Sequence, residues 1–124
     1  MQKLALTLIV VSIAAIGRAA LMPAHQQPCL HGSSETPEQS VRRRAALAYT
    51  RQVNTAEAAA FARTRTYPKL TELSGLSNAP DGFAVQLSTD GATYTFSVKD
   101  SLDACRFAFF SDQAGLIFTA SPLQ

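Results

Sequence analysis

Two hydrophobic periodicities divide the chain. Between about 36 and 66 apolar residues return at helical spacing, and from 83 onward they alternate with polar ones. The helical stretch opens with Thr36-Pro37-Glu38-Gln39. Thr36 suits the cap, Pro37 suits the first helical position, and Gln39 completes a capping box. Glu35 and Glu38 stand where the helix dipole favours negative charge. The interior is rich in Ala and Arg, both good helix formers. Pro68 cannot continue the ladder and disfavours helical backbone at Tyr67, so the spacing predicts a helix over 37–66.

At about 100° per residue, Val41, Ala45, Ala48, Tyr49, Val53, Ala56 and Ala60 share one side, which is the expected packing face. Its many alanines allow close approach. Leu47, Ala58 and Phe61 fall away from that side. Two explanations stand: Leu47 and Phe61 form a second surface for helix–helix contact, or Phe61 covers the rim of the following sheet together with Tyr67.

After Pro68, Leu70, Leu73 and Leu76 read as a helical turn or loop whose leucines plug a sheet edge. Asn78-Ala79-Pro80-Asp81-Gly82 is turn chemistry. Phe83, Val85 and Leu87 then alternate with polar or small residues, Asp90-Gly91 is a preferred hairpin dipeptide, and Tyr94, Phe96 and Val98 alternate again. Strands are expected at about 82–89, 92–99, 104–110 and 115–119, with Ser111-Asp112-Gln113-Ala114-Gly115 turning the third into the fourth. The fold class is therefore α+β: one long N-terminal helix packed on a four-stranded antiparallel β-meander with one face buried. The expected core is Phe83, Val85, Leu87, Tyr94, Phe96, Val98, Phe107, Phe109, Leu116 and Phe118 with the helix stripe. On the last two strands the inward set is open by one register.

Ahead of this domain, Met1-Gln2-Lys3 precedes an apolar run from Leu4 to Gly17. Residues 1–22 read as a signal peptide or a signal anchor, and either places the rest of the chain outside the cytoplasm, in the periplasm or cell envelope. Residues 23–35 read as a linker, and 36–124 as the folded domain. The linker holds His25, Cys29 and His31, which are ligand types for a soft metal. A structural zinc site wants a fourth ligand and none is nearby, so no metal or cofactor is expected. Cys29 and Cys105 are the only cysteines. In an exported chain they would pair, stay free, or bond between copies; a Cys29–Cys105 bond would contribute about 2–4 kcal/mol.

Charge is uneven along the chain. From Thr36 to Thr66 there are six Arg against two Glu, and from Tyr67 onward three basic residues against six acidic ones. A basic stem and an acidic head favour contact with a partner, or are simply solvated faces. No basic patch interleaves with aromatics, so no nucleic-acid partner is expected. Asp100, Asp103 and Asp112 are the only clustered carboxylates and lie in predicted turns. With no activated nucleophile, the chain does not read as an enzyme.

Three places carry a family resemblance. Asn54-Thr55-Ala56-Glu57-Ala58-Ala59-Ala60-Phe61-Ala62, followed by Thr66-Tyr67-Pro68-Lys69-Leu70, is similar to the end of a type IV pilin stem and the loop after it. The hairpin at Asp90-Gly91, the later Cys105 and the aromatic strand before Ser111-Asp112-Gln113-Ala114-Gly115 resemble a pseudopilin head. Leu8-Ile9-Val10-Val11, then Ile13, Ile16, Ala19 and Pro23, resemble the hydrophobic stem. Leu6 stands at the stem's acidic position, and the linker interrupts a stem that pilins continue. The resemblance thus implies a pilin-like head on a shortened spine, exported, with other pilin-like subunits or a secretion apparatus as partners and the inner membrane as a further one if the N-terminal segment is retained. The alternative is a soluble periplasmic binding module that uses the head loops and takes no part in a fibre.

Overall fold

The computed structural model describes residues 35–102 and 107–120. Segment 1–22, the linker up to Ser34, both histidines and both cysteines lie outside the described residues, and with them the proposed Cys29–Cys105 pairing.

The helix α1 spans Pro37–Thr64. Its start is the capping box read from the sequence: Gln39 N–H donates to Thr36 Oγ1 at 3.2 Å, and Thr36 N–H donates to Gln39 Oε1 at 2.9 Å. Its end comes earlier than 66. Arg65 takes the left-handed conformation at φ 61° and donates its N–H to the Phe61 carbonyl at 2.8 Å. That cap ends the ladder before Pro68 is reached, and it uses a non-glycine residue. A short 3₁₀ turn at Leu70–Glu72 follows, and Leu70, Leu73 and Leu76 are half-buried against the core.

The sheet consists of β1 (Phe83–Thr89), β2 (Tyr94–Asp100), β3 (Ala108–Asp112) and β4 (Ile117–Ala120). The strands lie in chain order and every pairing is antiparallel. Asp90 closes the first hairpin: its Oδ1 accepts from Thr93 N–H at 2.7 Å and Ala92 N–H at 2.9 Å, and these bonds hold its carboxyl below the usual range. Gly91, at φ 87°, supplies the positive φ. The register places Val85 opposite Val98 and Val98 opposite Phe109, and these point toward α1. The core is Ala46, Tyr49, Val53, Phe83, Tyr94, Phe96, Val98, Phe107 and Phe109, with Val85, Leu87 and Ile117 packed against it.

The fourth strand corrects the expected core. Leu116 and Phe118 are exposed, and Ile117 is the residue that turns inward. The cause lies in β3, which continues through Ser111-Asp112, residues that the sequence assigned to a turn. The turn then forms one step later. Ala114 N–H donates to Asp112 Oδ1 and Gly115 N–H to the Asp112 carbonyl, both at 2.9 Å. Ser111 therefore faces Ile117 on the inner side, and Phe110 faces Phe118 on the outer side.

Gly82 enters β1 at φ 77°, and a Cβ there would lie 2.5 Å from Leu102 Cδ1 and 3.0 Å from Arg42 Nη2. Gly82→Ala combines left-handed strain with this crowding. It is expected to cost about 1–3 kcal/mol, read as a lowered urea midpoint with an unchanged slope.

Candidate functional site

The fold gives α1 an inner and an outer face. The inner face buries Ala46, Tyr49, Thr50, Val53, Glu57 and Ala60. Tyr49, Val53 and Ala60 belong to the packing face expected from the sequence. The rest of that face is displaced: Val41 is 59% exposed, Ala45 and Ala48 are exposed, and Ala56 is half-buried. The helix is turned so that Thr50 and Glu57 point inward, and a pattern scored on apolar residues alone rotates away from them. Thr50 satisfies its hydroxyl locally by donating to the Ala46 carbonyl at 2.9 Å, so it packs as a small residue.

Leu47 is half-buried against the core, and Phe61 stacks on Tyr67 with ring centroids 4.4 Å apart. Tyr67 in turn lies 5.0 Å from the Tyr94 ring. Phe61 therefore stands on the sheet rim with Tyr67, and Leu47 packs toward the core. The outer face is formed by other residues. Val41, Ala48, Thr55 and Ala62 recur at heptad spacing and all are exposed, with Ala45 and Ala59 beside them. Thr55 donates its hydroxyl to the Arg51 carbonyl at 2.9 Å, so that hydroxyl is satisfied within the helix. Arg44, Arg51 and Arg63 flank the stripe and are exposed.

The two faces predict opposite responses to one substitution. Ala60→Leu overpacks the seam and is expected to cost about 1–3 kcal/mol. Ala48→Leu lies on the outer face and is expected to stay within about 0.5 kcal/mol of the parent. Thermal melts of the pair check the assignment of faces.

Polar groups close each end of the seam. At one end the Tyr94 hydroxyl donates to Asn54 Oδ1 at 3.0 Å, and Asn54 Nδ2 donates to the Gly115 carbonyl at 3.3 Å. Ser111 donates to the Leu116 carbonyl at 2.9 Å. Burial, with the nearby Glu57 charge adding to it, pushes the Tyr94 phenol up to about 12. At the other end Arg42 Nη2 donates to Asp100 Oδ1 at 3.0 Å. On the open side of the sheet, Gln86, Ser88, Thr95, Ser97 and Phe110 line a shallow depression of about 320 Å³. Phe110 and Phe118 stand exposed there side by side.

Among the described residues no helix is long and apolar enough to cross a membrane. The architecture defines a two-layer α+β domain, one helix lying across one face of an antiparallel meander. Compared with known proteins, the chain matches no family model, no curated protein and no solved structure.

Proposed function

We propose that this chain is an exported, pilin-like structural domain that docks through the outer face of α1 onto other pilin-like subunits or a component of a secretion apparatus. The observation that carries the reading is the stripe Val41, Ala48, Thr55 and Ala62, exposed along the helix side turned away from the sheet. Small residues at that spacing let a second helix approach at the short end of the usual ~8–10 Å range. The flanking arginines offer pairing to acidic groups on a partner and favour encounter with it. The apolar run in 1–22 supports export, and the Ala-rich stretch before Tyr67-Pro68 supports the pilin likeness.

The test is site-specific photo-crosslinking of the full chain in cells that produce it. A photoreactive side chain is placed at Ala48, at Ala59, or at Thr95 on the open sheet face. Crosslinks from Ala48 and Ala59 to an envelope protein with a pilin-like apolar helix, and none from Thr95, are the expected result. Crosslinks from Thr95 alone, or recovery of the chain in the cytosolic fraction, would overturn the reading.

A further inference from the structure

Glu57 lies on the inner face of α1 and is 0% exposed. Neither of its carboxyl oxygens reaches water, and neither has a hydrogen-bond partner among the described residues. The Glu side chain sits one turn along the helix from Asn54, next to the point where Asn54 holds the Tyr94 hydroxyl.

Among the described residues, the groups around this end of the seam do not offset a negative charge. β2 contributes the Tyr94 phenol, whose hydrogen is committed to Asn54. β3 contributes Asp112, another acid, whose Oδ1 accepts from Ala114 N–H. The chain after α1 contributes Tyr67, and β1 and β4 contain no titratable side chain. Lys69 and Glu72 of the 3₁₀ turn, and Arg63 and Arg65 at the end of α1, are exposed. Arg42 is bound to Asp100 at the opposite end of β2. An ionised carboxylate buried without donor or counter-ion is far more costly than a neutral carboxyl in the same place. The closed seam therefore selects the protonated form.

We propose that Glu57 is a proton-operated latch: the helix–sheet seam closes on its neutral carboxyl, and loss of that proton loosens α1 from the Tyr94 end of the sheet. The Glu57 carboxyl is pushed by burial from its ordinary 4.5 up to about 7. Between those values the folded state keeps a proton that the unfolded chain has released. Stability is thus fully present below the unfolded value and is lost as pH rises through the folded one.

The experiment is urea unfolding of the full chain across about pH 5 to pH 8, with Glu57→Gln and Glu57→Leu beside the parent. The parent's folding constant is expected to fall roughly 10- to 100-fold over that range, and both variants are expected to stay flat. Other titrating groups, His25 and His31 included, are common to all three proteins and cancel in the comparison. Hydrogen exchange around Glu57 and in β3, corrected for intrinsic rate, should quicken at high pH in the parent alone. Parallel profiles in parent and Glu57→Gln would overturn the proposal. Carbon-13 NMR of the parent's Glu57 carboxyl gives a second reading that needs no variant to fold. A midpoint near 7 supports the latch, and one near the ordinary 4.5 sinks it.

Discussion

Phe96→Ala lowers the stability of this domain by about 3–5 kcal/mol, the range for truncating a large buried aromatic. Phe96 is in β2, which is paired on both sides, opposite Leu87 on β1 and Ser111 on β3. Its side chain is 2% exposed and points at α1, where the Tyr49 ring lies 6.3 Å away at 46°. Truncation removes the contacts between the layers at the middle of the seam. With strands on both sides and a helix above, the neighbours cannot collapse into the space, so the cavity term adds to the lost transfer energy. A domain of this size has only about 5–15 kcal/mol to lose, so a substantial part of the total disappears. Phe118→Ala is the control. It deletes the same group from the open face and is expected to stay within about 0.5 kcal/mol. Urea titrations of both variants decide the matter: equal losses would show that the assignment of inner and outer faces is wrong.

That contrast marks where the sequence was legible. The helix start, the hairpin and the alternation of β1 and β2 depend on signals within a few residues, and each was readable: Thr36 to Gln39, Asp90-Gly91, Phe83 to Leu87, Tyr94 to Val98. The short fourth strand was not. Four residues, Ile117-Phe118-Thr119-Ala120, contain too little alternation to choose a face, and the choice was made by where β3 ended. Phe118, expected in the core, then falls outward beside Phe110.

The helix is legible as a helix, but its inward face is not. Ala is tolerated on either side of a helix, so a stripe of alanines carries weak directional information. The decisive residues were Thr50 and Glu57, whose polarity counted against the side they occupy. The run Arg42-Arg43-Arg44 is part of the basic excess of the helix. The structure divides it: Arg42 bonds Asp100, Arg43 forks onto Glu35 at 2.7 and 3.1 Å, and Arg44 donates to the Ser40 carbonyl at 3.3 Å. Glu35 raises the Arg43 pKa through that hydrogen bond. Contacts such as Arg42 to Asp100, 58 residues apart, leave no local trace in a single chain.

Arg42→Ala is expected to cost about 3 kcal/mol, toward the low end for breaking a buried pair by removing one partner. Asp100 is the buried member, at 0% exposure, whereas Arg42 keeps part of its guanidinium in water. Asp100 Oδ1 accepts from Arg42 Nη2 at 3.0 Å and from Leu102 N–H at 2.8 Å. The Leu102 N–H survives the substitution and holds the cost below the top of the range. The guanidinium also lies over the Phe83 ring, 5.1 Å from its centroid, so a packing contact goes with the charge. The asymmetry in burial orders the variants. Arg42→Ala removes the cation beside a buried carboxylate. Asp100→Asn leaves a cation that can turn to solvent and a side chain that still accepts from Leu102, so it should cost less. The double variant Arg42→Ala/Asp100→Asn removes that buried charge as well and should be more stable than Arg42→Ala alone. A double-mutant cycle in urea measures the coupling, expected at about 1–3 kcal/mol. Because Asp100 is shielded from solvent, that coupling should change little between low and high salt, as a surface pair's would not. A coupling near zero, or one that vanishes in salt, would make this contact a surface ion pair and leave the closure of that end of the seam to Phe83.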